Sequence, residues 1–288
     1  MITKNKHKHV HSYTLNCKGK LILLDKPCVM GIMNVTPDSF VADSRAMNVE
    51  EALHKAEKMI TAGATFIDIG GQSTRPGSTL IPVEEELRRI TPIIEAIAKT
   101  FPEVFISIDT FYATVAATAI NAGAHIVNDI SAGKMDAAML ATVANLQVPY
   151  IAMHSKGTPQ TMQQHCAYED VVREVLDYSI ERIDACRKAG IKDVIIDPGF
   201  GFSKNSTQNF QLLKNLSIFN MLECPLLVGL SRKSMIHQTL NIKPEDALNG
   251  TTVLQTLALT QGAHIVRTHD VKEAMEMIVL WENYISKP

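Results

Sequence analysis

One pattern recurs along the sequence from residue 29 to the end: a short apolar run ends in a polar residue, and a helical stretch then leads to the next run. The runs lie at 29–34, 66–71, 104–110, 125–131, 148–154, 194–199, 225–233 and 264–270. Each run is too short and too continuously apolar for a strand with one face in water, which is typical of strands buried in a parallel sheet. The pattern therefore predicts eight parallel strands that alternate with helices.

Eight strand–helix units over this length predict an α/β fold of the (β/α)8, or TIM, barrel class. A doubly wound open sheet is the alternative, and it would need fewer strands and a reversal of the strand order. Apolar residues recur at helical spacing in the intervening segments, of which the clearest are 49–63, 83–100, 114–123 and 170–190. Three of these segments end at a glycine, which is a common helix C-terminus.

The N-terminal region differs from the rest of the chain. Two β-prone arms flank Lys18-Gly19-Lys20 in residues 13–26, which predicts a β-hairpin that covers the N-terminal end of the barrel. Residues 1–12 are predicted to be a flexible tail. Their alternating histidines, His7, His9 and His11, leave metal binding open as an alternative. No Pro/Ser-rich linker divides residues 13–288, so these residues are predicted to form a single barrel domain.

Composition excludes several classes of protein. The 288 residues carry 28 Lys and Arg against 30 Asp and Glu, and the net charge of −2 argues against a nucleic-acid-binding protein. No apolar run approaches the roughly 18–20 residues of a membrane span. The five cysteines are odd in number and form no CxxC motif, so we expect neither a disulfide framework nor a zinc site. Such cysteine usage predicts a reducing compartment, the cytoplasm.

Polar side chains stand where the predicted strands end, which is where TIM barrels carry their chemistry. They are Asn34, Asp68, Asp109, Asn128, His154, Asp197, Lys233, Arg267 and His269. Burying so many polar groups at one end of a barrel costs free energy unless each finds a partner. Their convergence therefore predicts a binding site.

These side chains form two chemical sets. Asp109, Asn128 and Asp197 offer acceptors and an amide donor, which suit the edge of a flat heterocycle with several N–H groups. The second set offers donors and positive charge, which suit an anion such as phosphate: Arg267, His269, Lys233, Arg75 and Asn34. The alternative is that Asp109, Asp197 and Lys233 form a structural ion pair at the barrel mouth.

Two glycine-rich loops follow predicted strands. Residues 70–77 are polar and interrupted by Pro76, which indicates a mobile active-site loop. Residues 197–204 lack the GK[ST] ending of a phosphate loop, and their glycines are interpreted as backbone room beside a planar ligand. No Ser-His-Asp or Cys-His nucleophile pattern is present, and His154 near Cys166 is interpreted as packing.

Specific motifs occur in one order along the chain: GIMNVTPDSF (31–40), DIGGQSTRPG (68–77), SIDT (107–110), NDIS (128–131), MHSKGTPQTMQ (153–163), DPGFGF (197–202), GLSRKS (229–234) and RTHDV (267–271). Together they closely resemble the dihydropteroate synthase family. The resemblance implies a (β/α)8 enzyme of folate synthesis that joins para-aminobenzoate to 6-hydroxymethyl-7,8-dihydropterin diphosphate with the help of Mg²⁺. It further implies that pyrophosphate leaves first and that a cationic pterin then reacts.

The same resemblance implies roles for individual residues. The pterin would be bound by Asp109, Asn128, Asp197 and Lys233. The diphosphate would be bound by Asn34, Thr74, Arg267 and His269, with Asn34 also on the metal. The aminobenzoate slot would be formed by Phe40, Thr74, Arg75, Pro76, Lys233 and Ser234. Catalysis would depend on Lys233, Asp197, Arg267 and His269.

The resemblance also implies small-molecule substrates and a homodimer through the apolar segments 245–260 and 272–284. Two other functions stay open: a pterin-dependent methyltransferase, which shares a barrel and a pterin pocket, and a catalytically inactive pterin-binding module. The methyltransferase would not need STRPG or SRKS to bind aminobenzoate. The inactive module predicts loss of Asn34, Arg267 or Lys233, and all three are present.

Three departures from the family pattern stand out. Gln72 replaces the usual Glu, residues 41–44 replace SDGG, and Phe111 and Tyr112 replace the usual Ser and basic residue after SIDT. The loss of two glycines is expected to stiffen the first loop. Phe111 and Tyr112 are expected to change the packing beside the pterin site or on the adjacent helix. Sensitivity to sulfonamides stays open.

Overall fold

The computed structural model describes residues 12–35, 45–73 and 77–286. Ten strands lie within these ranges: β1 (Tyr13–Cys17), β2 (Lys20–Leu24), β3 (Cys28–Asn34), β4 (Phe66–Gly70), β5 (Phe105–Asp109), β6 (Ile126–Asp129), β7 (Tyr150–Met153), β8 (Val194–Asp197), β9 (Leu227–Val228) and β10 (Ile265–Thr268). The α-helices are α1 (Arg45–Thr61), α2 (Val83–Thr100), α3 (Ala113–Ala122), α4 (Met139–Leu146), α5 (Val171–Ala189), α6 (Ser206–Lys214), α7 (Ser234–Leu240), α8 (Leu248–Thr260) and α9 (Val271–Ser286). None of the described helices is both long and apolar enough to cross a membrane.

Eight of the strands form the predicted barrel. They are parallel, in the spatial order β8-β7-β6-β5-β4-β3-β10-β9. A parallel bridge between Ile196 of β8 and Leu226, which precedes β9, joins the two ends of this sheet. The (β/α)8 fold is therefore confirmed, and the open doubly wound sheet is excluded.

All eight apolar runs contain a strand, but their extents differ from the prediction. The largest difference lies in the run 225–233, where only Leu227–Val228 is strand. Arg232 has a left-handed backbone with φ of 54°, which cannot continue a strand. Helix α1 begins at Arg45, four residues before the predicted start at 49 and ends at Thr61. The predicted tail lies almost wholly outside the described residues, as do His7, His9 and His11.

The N-terminal hairpin forms as predicted. Strands β1 and β2 pair antiparallel around Lys18 and Gly19, whose φ angles of 54° and 89° suit a tight two-residue turn. Its buried face, which includes Leu15 and Leu24, packs against one inward side chain from each of several barrel strands. These side chains are Met30, Phe66, Ile126, Ile151, Ile195, Leu227 and Ile265. The hairpin therefore closes the N-terminal end of the barrel with an apolar layer.

The strands that contribute the apolar layer also contribute polar side chains, two positions further along each strand. The side chain two positions after Phe66 is Asp68, and the one after Ile126 is Asn128. In the same way, Asp197 lies two positions after Ile195, and Arg267 lies two positions after Ile265. Because alternate residues of a strand share a face, these polar groups line the barrel interior above the apolar floor. The outward residues between them, such as Ile67 and Ile196, pack under the helices.

Candidate active site

Arg267 is the central side chain of the barrel mouth. Its Nε donates to Asp68 Oδ2 at 2.6 Å, and its Nη2 donates to Asp109 Oδ2 at 2.7 Å. Asn128 Nδ2 donates to the same Asp68 oxygen at 3.0 Å. The sequence assigned Arg267 to an anion-binding set and Asp109 to a heterocycle-binding set. The structure joins these two sets through the guanidinium.

Two acceptor oxygens in this cluster are unsatisfied. Asp68 Oδ1 and Asp109 Oδ1 are buried, and neither has a hydrogen-bond partner among the described residues. Burial raises the pKa of Asp109 to about 7, although the charge of Arg267 opposes the shift. A buried acceptor without a donor costs roughly 1–3 kcal/mol, so the cluster favours a ligand that brings N–H groups.

Asp109 forms its ion pair with Arg267. The sequence analysis had considered a structural ion pair with Lys233 instead. Lys233 immediately precedes α7, and its Nζ lies 4.3 Å from the centre of the Phe202 ring. Asp197 Oδ1 accepts from the Gly199 N–H at 2.8 Å. Burial raises the pKa of Asp197, and the nearby Lys233 opposes that shift. Lys233 therefore acts electrostatically on the carboxyl group of Asp197.

The loop after β8 is organised by Lys204, to which the sequence analysis assigned no role. Lys204 is buried, and its Nζ contacts Gly199 O at 2.9 Å, Phe202 O at 3.1 Å and His154 Nδ1 at 2.9 Å. Burial lowers the pKa of Lys204 to about 7. A lysine after a glycine-rich loop ordinarily points to solvent, so the sequence carried no signal of this burial. His154 therefore has a polar contact with Lys204 that its interpretation as a packing residue near Cys166 did not include.

His269 is held by Ser231. The serine Oγ lies 2.9 Å from His269 Nδ1 and accepts from the His269 backbone N–H at 3.2 Å. Burial and the neighbouring Arg267 lower the pKa of His269 to about 4. The imidazole is therefore neutral at pH 7, and its contribution to the donor set is an N–H group.

Arg232 ties together the loops that follow β9 and β10. Its Nε and Nη2 donate to the two Asp270 oxygens at 2.9 Å and 2.7 Å, and its Nη1 donates to Glu245 O at 2.7 Å. Because Arg232 lies between Ser231 and Lys233, this fork holds both neighbours in place. The sequence identified the SRKS motif but not the role of its arginine.

A cavity of about 560 Å³ lies beside His269, two residues after Arg267. Its charged and polar lining comprises Asn34, Lys55, Lys58, His269, Asp270, Lys272 and Glu273. Helix α9 begins at Val271, two residues after His269. The N-terminus of a helix favours anions because its first N–H groups are unpaired and its dipole is positive there. The start of α9 therefore favours an anion near His269, and the assignment of the donor set to a diphosphate stays a prediction.

The structure brings together most of the side chains assigned from the sequence. Those at or just beyond the C-terminal strand ends are Asn34, Asp109, Asn128, Asp197, Lys233, Ser234, Arg267 and His269. The other assigned residues, Phe40, Thr74, Arg75 and Pro76, lie outside the described residues. Asp68 was noted as a strand-end residue but was not assigned to the site, and its ion pair with Arg267 adds it.

Comparisons with known proteins show the family to which the chain belongs. The family model described as "Pterin binding enzyme" matches residues 30–269. Dihydropteroate synthase of Escherichia coli K12 is 46% identical over 274 residues, which cover 94% of this chain and 96% of the relative. Dihydropteroate synthase of Xanthomonas albilineans with 4-aminobenzoic acid has a TM-score of 0.90 at 40% identity, covering 96% of this chain and 100% of that chain. The complex of that organism's enzyme with 7,8-dihydropteroate has a TM-score of 0.86 at 37% identity, over 96% of this chain and 100% of that chain. The chain therefore belongs to the pterin-binding enzyme family and, within it, to the dihydropteroate synthases.

Proposed function

We propose that this chain joins para-aminobenzoate to 6-hydroxymethyl-7,8-dihydropterin diphosphate and releases 7,8-dihydropteroate and pyrophosphate. The observation that carries the proposal is a set of buried, unsatisfied acceptors near a cavity at the start of α9. Asn34, His269 and three lysines contribute to the lining of this cavity, which could accept an anion. A pterin carries ring N–H and amino donors, and its diphosphate is an anion. One molecule therefore matches both halves of the site.

The pterin ring is assigned to the carboxylates at the strand ends. Asp109 and Asp197 accept from its N–H groups, and Asn128 reads a neighbouring position on the ring edge. Lys233 covers the ring from the start of α7, beside Phe202. Satisfying Asp109 Oδ1 with a donor removes the cost of its isolation, which is the physical reason for binding at this depth.

The diphosphate is assigned to Asn34, Thr74, Arg267 and His269. Among the described residues, no group of three or more His, Cys, Asp or Glu side chains could hold a metal ion alone. Mg²⁺ fits this site in another way, because it commonly takes few protein ligands and completes its shell with phosphate oxygens and water. We assign the Asn34 amide oxygen as its protein ligand. Bound Mg²⁺ would neutralise charge on the diphosphate as it leaves.

The reaction exchanges one bond for another at the pterin methylene. The C–O bond to the diphosphate breaks and its electron pair stays with pyrophosphate, and the aminobenzoate nitrogen then forms the C–N bond and loses a proton. Arg267 and the His269 N–H stabilise the departing anion, while Asp109 and Asp197 stabilise the cationic pterin. The arylamine is unprotonated near neutral pH, so no strong general base is needed. The aminobenzoate is assigned to Phe40, Thr74, Arg75, Pro76, Lys233 and Ser234.

The assay of choice combines the purified protein with both substrates and Mg²⁺ and follows dihydropteroate and pyrophosphate. We expect product with the wild-type chain and a loss of at least about a hundredfold in the Lys233→Ala variant. Lys192→Ala is the matched control, because this exposed lysine precedes β8 at the opposite end of the barrel. Binding of the pterin diphosphate without turnover would contradict the proposal and favour the inactive pterin-binding module.

We also propose a homodimer in the cytoplasm. Helices α8 and α9 expose Val253, Leu257, Leu280 and Tyr284, the last two at 72% and 78% of their surface. Such a patch on neighbouring helices is typical of an interface between subunits. Sedimentation is expected to give twice the chain mass of 31.7 kDa, and a mass of one chain would contradict the dimer. All five cysteines are free thiols, which supports the reducing cytoplasm.

A further inference from the structure

The Nζ of Lys204 is bonded to two carbonyl groups of the loop that follows β8, residues 198–203. It donates to Gly199 O at 2.9 Å and to Phe202 O at 3.1 Å, and Lys204 is only 3% exposed. A lysine amine carries at least two N–H groups in either protonation state, so both bonds can form whether or not Lys204 is charged. Lys204 therefore supplies donors to a loop whose backbone lies outside helices and strands.

A third contact of the same nitrogen anchors this loop to the end of β7. The Nζ of Lys204 lies 2.9 Å from His154 Nδ1. Burial lowers the pKa of His154 well below its usual range, so the ring is neutral and can accept a hydrogen bond at Nδ1. The His154 ring packs edge-on against Tyr178 with 4.7 Å between the ring centres, and its backbone N–H donates to Asp197 O at 2.9 Å. Lys204 thus ties the loop to a side chain that is itself held in place.

The first residues of the loop determine the orientation of Asp197. The Gly199 N–H donates to Asp197 Oδ1 at 2.8 Å, and the carbonyl of the same glycine accepts from Lys204. A Cβ added at Gly199 would overlap the carbonyl oxygen of His154, so the glycine backbone already lies directly against the end of β7. The direction of the Asp197 carboxyl group therefore depends on the position of Gly199, which Lys204 helps to set.

The last residues of the loop determine the surroundings of Lys233. The carbonyl of Phe202 accepts from Lys204, and the Phe202 ring lies 4.3 Å from Lys233 Nζ. The same ring packs against the buried apolar cluster that contains Phe111. A Cβ added at Gly201 would lie 2.9 Å from Lys233 Cδ, so the Lys233 side chain passes directly over this glycine. A displacement of the loop would therefore move Lys233 as well.

We propose that Lys204 is a positioning residue for the pterin, because it holds the loop that orients Asp197 and Lys233 toward the ring. The inference rests on the proposed function, which assigns both of those side chains to the pterin. The three polar contacts of Lys204 are with groups of the protein, so Lys204 acts on the ligand through its neighbours. Such a residue changes the affinity of the folded protein for the pterin. A residue that only stabilises the fold changes the amount of folded protein instead.

Lys204→Met tests this role, because it keeps an unbranched side chain of similar length and removes the donors. We expect the Kd for the pterin diphosphate, measured by calorimetry with Mg²⁺ and without para-aminobenzoate, to rise about tenfold, which is equivalent to about 1.4 kcal/mol. Lys18→Met is the matched control: the Lys18 Nζ also donates to a backbone carbonyl at 2.9 Å, that of Ile120, at the opposite end of the barrel. The control should leave this Kd unchanged, and urea unfolding establishes that both variants are folded.

A double-mutant cycle with Asp197→Asn distinguishes positioning from a general loosening of the fold. If Lys204 acts through Asp197, Lys204→Met should raise the Kd by less than about threefold in the Asp197→Asn background. A change that only loosens the fold would add the same factor in both backgrounds. An unchanged Kd in folded Lys204→Met, or the full tenfold rise in the Asp197→Asn background, would overturn the proposal.

Hydrogen exchange follows the loop without any ligand. The peptide 198–203 should exchange about tenfold faster in Lys204→Met than in the wild-type chain, and Lys18→Met should not change it. Equal exchange in Lys204→Met and the wild-type chain would also overturn the proposal.

If Lys204→Met does not fold, Lys204→Gln takes its place. Its amide is one bond shorter than the lysine amine and cannot reach both carbonyls, so the Kd should rise about threefold, and a wild-type Kd would count against the proposal. A wild-type chain that does not bind the pterin diphosphate would contradict the proposed function instead. The exchange of peptide 198–203 would then decide whether Lys204 holds the loop.

Discussion

Arg267→Ala is expected to abolish synthase activity, with a loss of at least about a thousandfold, and to lower the free energy of unfolding at pH 8 by about 3 kcal/mol. The variant removes the group proposed to stabilise the departing diphosphate. It also removes the shared ion-pair partner of Asp68 and Asp109, both of which are buried. Removing one partner of a buried pair is costly because the remaining charges lie in a medium that solvates them poorly.

The stability loss should depend on pH in a defined direction. Burial already raises the pKa of Asp109 to about 7, and without Arg267 the folded pKa rises further. A carboxyl group can have a higher pKa in the folded state than its value of about 3.9 in the unfolded state. Its contribution to stability is then fully present below the unfolded pKa and is lost as the pH rises through the folded pKa. The variant should therefore be more strongly destabilised at pH 8 than at pH 6.

Urea unfolding of both chains at pH 6 and pH 8, combined with the product assay, measures these effects. Arg173→Ala is a suitable control, because the Arg173 side chain is 80% exposed and its Nε lies 3.7 Å from Asp177 Oδ2 in an exposed ion pair. Exposed pairs of this kind contribute at most about 1 kcal/mol. An Arg267→Ala variant with the same stability loss at both pH values would contradict the burial argument.

Gly199→Ala is expected to lower Tm by about 5 °C and to remove activity, a shift that corresponds to roughly 3 kcal/mol. Gly199 has a φ of 71°, and an added Cβ would overlap the His154 carbonyl oxygen, which belongs to the backbone and cannot turn away. The Gly199 N–H also donates to Asp197, and its carbonyl accepts from Lys204. Displacing this residue would therefore disturb the pterin side of the site.

Gly19→Ala is the control for Gly199→Ala, because it introduces the same kind of backbone strain without a steric clash. Gly19 has a φ of 89°, but nothing lies within 4 Å of the position of an added Cβ. This variant should show only the cost of a left-handed residue, about 1–2 kcal/mol, with full activity. Thermal unfolding and the product assay compare the two variants, and equal losses of stability and activity would show that the overlap with His154 is unimportant.

The sequence by itself determined the architecture. Strand runs of continuous apolar residues, separated by helical segments, are local features, and eight of them lead to a closed parallel barrel. The sequence also placed Asp68, Asn128, Asp197 and Arg267 at the strand ends, whereas the packing of the residues two positions earlier shows that they face inward. The motifs then indicated the family, and the chemistry of the strand ends indicated a heterocycle joined to an anion.

Only the tertiary structure decided how these residues act on one another. Asp68 and Arg267 are 199 positions apart, and no local pattern reveals that they share a hydrogen bond. Nor does a local pattern reveal the hydrogen bond between Lys204 and His154. The same is true of the hydrogen bonds that Gln72 and Tyr112 form with the backbone of Ile81. Burial and the field of neighbouring charges are properties of the folded barrel, so they set the neutral state of His269 and the raised pKa of Asp109. Residue types follow from the sequence, whereas protonation and pairing follow from which distant groups the closed barrel brings together and removes from water.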